Sequence, residues 1–181
     1  MTEDYGITKT KLANFFYNRK KNSLVENKIE SFKFDEIKSI GIIFDNNHYG
    51  LQKLIDALIQ EFRKKSGIIS IFNLGYEIDE MNKPEANGIP VVYFNKKDLN
   101  WYGMPKYKDV TNFTDTKFDL LINLASEDSW AIKFCALLSK GKFKVSNHSG
   151  DQDIYDLMIN TKEEKGEYIS LMIDTLKIIN K

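Results

Sequence analysis

Apolar runs of strand length alternate along the chain with apolar stripes of helix length. Three observations turn that alternation into a fold. The runs at 37–45, 68–74 and 118–124 are almost continuously apolar, as strands buried on both faces are. The first two of these runs are separated by a single helix-length stripe of about four turns, which makes a strand–helix–strand unit of right-handed type. The stretch Phe118–Ser146 (FDLLINLA, SEDSWAIKFCALLSKGK, FKVS) repeats the same order of strand, helix and returning strand. Helices that follow strands in this way cover both faces of a parallel sheet. The expected fold is therefore a three-layer α/β domain of Rossmann-like type with a mostly parallel sheet, preceded by a short basic amphipathic helix.

The elements follow in order. Thr8–Asn22 (TKTKLANFFYNRKKN) has helical character, and Lys9, Lys11, Arg19, Lys20 and Lys21 give it five positive charges with no acid among them. At about 100° per residue Leu12, Phe15 and Phe16 share one side of that helix. Two uses are open. The stripe can dock on the domain or on a second copy, leaving the lysines in solvent. Alternatively, the helix can lie on an anionic membrane or touch phosphate backbones. Ser23–Glu36 mixes charges and reads as a linker, so residues 1–36 form an arm and 37–181 the domain.

Ile37–Asp45 is the first strand, and Leu51–Lys65 the first covering helix, with Leu51, Leu54, Ile55, Leu58, Ile59 and Phe62 on one face. Ile68–Leu74 and Val91–Phe94 are the next two strands. Asn95–Lys117 reads as a long aromatic irregular segment, and loops of that length are often functional. Its Trp101 either marks a binding surface or pins the loop to the core. Phe118–Leu124 is the fourth strand. Glu127–Lys140 is a helix whose inner face is Ala131, Phe134, Cys135 and Leu138, widened by Trp130 and Leu137. Lys142–Ser146 and Ile154–Ile159 are the remaining strands. Thr161 with Glu164 fits a capping box before a last helix, with Tyr168, Ile169, Met172, Ile173, Leu176 and Ile179 inward.

Composition bounds the function. The 181 residues suffice for one self-sufficient core, and 26 basic against 26 acidic residues give no global field for a polyanion, so any basic patch is local. One cysteine, Cys135, excludes a disulfide within the chain and suits a reducing compartment. The opening MTEDYG has no signal-peptide pattern, and no apolar run approaches the roughly 20 residues that span a bilayer, so the expected location is the cytoplasm.

In an open parallel sheet, ligands bind beyond the carboxyl ends of the strands. The strand assignments gather Asp45 and His48, Ser126, and His148 at that edge, with Asn73, Tyr76, Asn95 and Asn147 nearby, so both histidines of the chain fall there. Asp45, His48, Ser126 and His148 are the candidate catalytic group, since histidine titrates near neutral pH and can move a proton for a neighbour. Histidine as a plain loop hydrogen-bonder is the alternative. The turn DNNHYG after the first strand carries one glycine and lacks the glycine spacing that closes backbone N–H groups on a pyrophosphate. No G-x-S-x-G elbow is present, and Cys135 falls on an apolar helix face. No cofactor and no metal site is expected.

The segments KSIGIIFD, NKKDLNWYG, FDLLINL, LLSKGKFKVS and YDLMI resemble a bacterial family of small uncharacterised proteins, which implies the fold and a bacterial source and no activity. More remotely, FDLLINLASEDSWAIKFCALLSKGKFKVSN is similar to the N-terminal domain of heptosyltransferase-like glycosyltransferases. Those enzymes bind the donor mainly in a second domain, for which this chain has no room. That likeness therefore implies the scaffold and no catalytic residue.

Two functions follow as expectations. One is a non-catalytic binding or adaptor module whose basic helix contacts RNA, the ribosome, an anionic membrane surface or a protein partner. The other is a small transferase-like enzyme acting on a sugar or phosphate compound at the carboxyl edge. Beside these two stands a homo-oligomeric structural protein, with the last helix or the aromatic loop as the interface.

Overall fold

The computed structural model describes residues 2–24, 32–45, 51–64, 70–78, 89, 91–125, 129–147, 151–159 and 165–179. Six strands form one sheet: β1 (Ser39–Asp45), β2 (Ser70–Tyr76), β3 (Val91–Phe94), β4 (Lys117–Asn123), β5 (Lys140–Ser146) and β6 (Leu157–Met158). Their order is β3-β2-β1-β4-β5-β6, and every pairing is parallel. This is the Rossmann order, built outward in both directions from β1. The sheet is thus wholly parallel, and its topological switch point lies between β1 and β4.

Among the described residues there are five α-helices: α1 (Thr2–Leu24), α2 (Leu51–Arg63), α3 (Lys108–Asp115), α4 (Trp130–Leu138) and α5 (Lys165–Ile178). α2 and α5 pack together on one face. Leu54, Ile55, Leu58, Ile59 and Phe62 of α2, with Tyr168, Ile169, Met172, Ile173 and Leu176 of α5, close over Ile40, Ile42 and Phe44 of β1. α3 and α4 cover the other face, meeting Ile43, Leu74 and Leu121. Phe32 and Phe34, which precede β1, also reach the core: Phe34 packs on Phe62 and Phe32 stacks on Phe143 at 4.2 Å.

Several sequence expectations are corrected. Residues 95–117 are ordered: a 3-10 turn at Lys96–Asp98 is followed by α3, which buries Val110 and Phe113. The sixth strand is two residues long rather than Ile154–Ile159. There the Asp156 carboxylate, not a main-chain carbonyl, accepts the Lys144 N–H at 2.7 Å, so the edge strand is short and charged. α4 turns differently from its expected orientation. Ala131, Ile132, Cys135 and Ala136 face the sheet, whereas Phe134 and Leu137 face outward into a separate cluster with Tyr17 of α1. α4 is apolar all round because it is covered on both sides. The capping pair Thr161 and Glu164 falls outside the described residues.

α1 is longer than expected, and its inner face is displaced. Ala13 and Tyr17 are buried and Phe16 is half-buried, while Leu12 and Phe15 of the expected stripe are exposed. Tyr17 sets the orientation, since its ring meets both Trp130 and Phe134 edge-on.

Candidate functional site

The first candidate region is the carboxyl edge. Parallel register aligns the ends of β1, β4 and β5, with Ile43 beside Asn123 and Asn123 beside Ser146. Beyond these pairs, side-chain amides join the main-chain bonds. Asn123 is fully buried; its Nδ2 donates to the Tyr155 hydroxyl at 2.7 Å and its Oδ1 accepts the Ala125 N–H at 3.1 Å. Asn147 Nδ2 donates to the Leu124 carbonyl at 3.1 Å, and the Leu124 N–H donates to the Ile43 carbonyl at 2.7 Å. Past the last register pairs, these asparagine side chains satisfy the Ala125 N–H and the Leu124 carbonyl. Asp45 ends β1 at only 4% exposure, and Ser146 ends β5 fully buried. Asn73, also buried, has an Oδ1 with no partner among the described residues.

Of the expected catalytic group, Asp45 is at this edge. His48, Ser126 and His148 fall in segments 46–50, 126–128 and 148–150, outside the described residues. The last described residues before those segments, Asp45, Ala125 and Asn147, share the edge. Tyr76, beside Asp45 in the register, has its phenol pushed up to about 12 by burial, with the charge of Glu77 and the Cys135 thiol adding to the shift. Glu77 itself takes φ +50, the left-handed region that an L-residue adopts only at a cost. Cys135 is fully buried and its thiol is pushed up by desolvation, so it is inert. No three histidine, cysteine, aspartate or glutamate side chains gather among the described residues.

Among the described residues, Lys144 is a strongly perturbed cation. Burial pushes its amine down to about 8, against the pull of Asp156. Its Nζ donates to the Ala136 carbonyl at 2.8 Å, near the end of α4, where carbonyls lack helical partners. The amine is therefore committed to capping a helix.

The second region is the outer side of α1 and the loop beside it. Lys21 Nζ meets the two Asp151 oxygens at 3.0 and 3.1 Å and Asp153 at 2.6 Å, while the Tyr17 hydroxyl donates to Asp151 at 3.2 Å. Burial pushes the Asp151 carboxyl up, but the hydrogen bonds and charge of Lys21, with the Asp153 N–H and Tyr17, leave it below its ordinary value. Lys21, expected in the contact arm, is thus part of the clamp that holds α1 down. Lys11, Arg19 and Lys20 are exposed. The Lys9 side chain lies outside the described residues.

Residues 95–105 are built to hold an aromatic ring outward. Asn95 caps the 3-10 turn, accepting the Lys97 N–H while Asp98 accepts the Asn95 N–H, both at 2.9 Å. Asn100 Oδ1 accepts the N–H groups of Tyr102 and Met104, at 3.1 and 2.9 Å, which folds the chain back on itself. Gly103 takes φ +94, and a Cβ there would stand 2.9 Å from the Trp130 Cβ. Tyr102 stacks on Phe16 at 4.4 Å, and Trp101 stands across both rings at 5.1 and 5.7 Å. Trp101 remains 59% exposed, as does Phe15, and Leu12 is 37% exposed.

The matching family model spans residues 9–179 and is described as a family of unknown function, DUF6913. The chain belongs to this family. The match includes α1 from residue 9, so the helix and its aromatic neighbours are part of the DUF6913 unit. Neither the curated proteins nor the solved structures gave a match. No described helix of this DUF6913 chain is long and apolar enough to cross a membrane.

Proposed function

We propose that the domain is a non-catalytic binding module, and that its contact surface is the outward side of α1 together with the Trp101 loop. On this reading residues 1–36 serve as contact arm and linker, and 37–181 as a rigid cytoplasmic scaffold. One observation carries it. α1 is docked through Ala13, Phe16 and Tyr17, yet it leaves Leu12 and Phe15 in solvent beside Trp101, among the exposed cations Lys11, Arg19 and Lys20. In a chain with balanced charge this is a local basic and apolar patch, the kind of surface that meets an anionic partner. RNA, the ribosome, a membrane surface or an acidic protein all satisfy that description.

Charge reversal tests it. Arg19→Glu with Lys20→Glu leaves the Lys21 clamp in place. Two reversed contacts are expected to weaken co-sedimentation with anionic vesicles or ribosomes by at least about tenfold at low salt, taking about 1 kcal/mol per cation. Binding retained after both reversals would remove the basis of the reading.

A second reading rests on Asp45. It is buried at the switch point, where Rossmann-like sheets hold ligands. A small transferase-like enzyme would use Asp45 with His48, Ser126 and His148 on a sugar or phosphate compound, in keeping with the remote glycosyltransferase likeness of residues 118–147.

A further inference from the structure

Resting on the binding-module reading, we infer that the partner of this surface is an anionic lipid bilayer. Leu12, Phe15 and Trp101 would enter the boundary between headgroups and acyl chains, and Lys11, Arg19 and Lys20 would lie among the lipid phosphates. Successive helical turns place Lys11, Phe15 and Arg19 in one row and Leu12, Phe16 and Lys20 in the next. Apolar tips and cations therefore share one side of the helix, with Trp101 extending the apolar part past Phe16 at 5.7 Å. A flat anionic surface can engage both kinds of group at once, the cations by attraction to the lipid charge and the apolar tips by burial. Tryptophan at the edge of such a patch suits the headgroup level.

The alternative polyanion, single-stranded nucleic acid, fits less well. It calls for a basic groove with successive stacking platforms. Here Leu12 offers no π-face, and the two most exposed rings among the described residues, Phe15 and Trp101, stand on a helix and in a loop. The polar groups next along the helix are engaged with each other, as Asn18 Nδ2 donates to Asn14 Oδ1 at 3.1 Å. Asp151 and Asp153 are both paired with Lys21 on the docked side of the helix. With no described spanning helix, the attachment is peripheral.

The test uses the full chain carrying Trp130→Phe, which leaves Trp101 as the only indole. Its emission is followed with phosphatidylcholine vesicles containing phosphatidylglycerol, and with pure phosphatidylcholine vesicles. The expected result is a shift to shorter wavelength and quenching by brominated acyl chains with the anionic vesicles alone. Phe15→Ser is expected to reduce partitioning roughly tenfold, the effect of losing one large buried apolar side chain, with an unchanged melting profile as the folding control. No shift with anionic vesicles, equal shifts with both, or full binding by Phe15→Ser overturns the inference. Binding of single-stranded RNA through the same residues, in place of vesicles, overturns the bilayer but keeps the binding module. If vesicles, RNA and ribosomes all fail to bind, both fall.

Discussion

Gly103 shows most plainly how one residue shapes the surface. Its φ of +94 suits glycine, and its missing Cβ lets the loop lie against Trp130. Gly103→Ala is expected to cost about 1–3 kcal/mol, from the strained φ and the overlap with Trp130. Urea denaturation measures this; a change within a few tenths of a kcal/mol would mean the loop relaxes freely. Asp119 illustrates a structural carboxylate at the opposite end of the sheet. It accepts the N–H groups of Lys38 and Ser39 and pairs with Lys142 at 2.8 Å, so its pKa is lowered despite the upward push of burial. Such a group secures the start of β1 and has no part in the candidate site. Trp101 and Tyr102 could not be separated by sequence, because an indole in a loop serves equally as anchor or as contact. Here Tyr102 anchors, stacking on Phe16, and Trp101 is displayed.

Among the elements, α1 depends on a clamp with a defined pH window. Asp151 has a folded pKa below the ordinary 3.8, so its contribution is complete above that value and fades as pH falls through the folded one. Lys21 has a pKa raised above 10.5, chiefly by its hydrogen bond to Asp153, so its contribution is complete below 10.5 and fades as pH rises through the folded value. Asp151→Ala is expected to loosen α1 by about 1 kcal/mol, as for a partly screened pair. Faster amide exchange confined to α1 at neutral pH would report it; unchanged exchange would show that Tyr17 and Phe16 suffice. The helices α2 and α5 were legible in the sequence because their inward residues recur every three or four positions, although α5 also carries Leu171 and Ile178 on its exposed side. α3 was not legible, since Thr111, Asn112, Thr114 and Asp115 are poor helix formers and only Val110 and Phe113 mark a face. α4 was found but misoriented, because an all-round apolar helix has no moment to read. α1 was misread for a related reason. Small Ala13 is the buried residue and large Phe15 the exposed one, which inverts the usual weighting by size.

For the molecule as a whole, the alternation of strands and helices was enough to predict the three-layer fold, and the parallel order β3-β2-β1-β4-β5-β6 agrees with it. The site was legible only in part. Strand ends placed Asp45 at the carboxyl edge. The aromatic share of the α1 surface depends on a contact between Phe16 and residues 101–102, far apart in the chain, which no local pattern encodes. The whole-chain charge balance also conceals the patch, because the five cations of residues 8–22, with no acid among them, are a small share of the 26 basic residues. Two regions thus compete for the function: an exposed aromatic and basic surface, and a buried polar edge at the switch point. Amide hydrogen exchange over the full chain, with and without phosphatidylglycerol-containing vesicles, separates them most directly. The expected result is slowed exchange in residues 10–24 and 99–104 with the strand ends unchanged. Unchanged exchange in those two segments, or protection confined to residues 43–45, 123–125 and 145–147, would contradict a contact surface on α1.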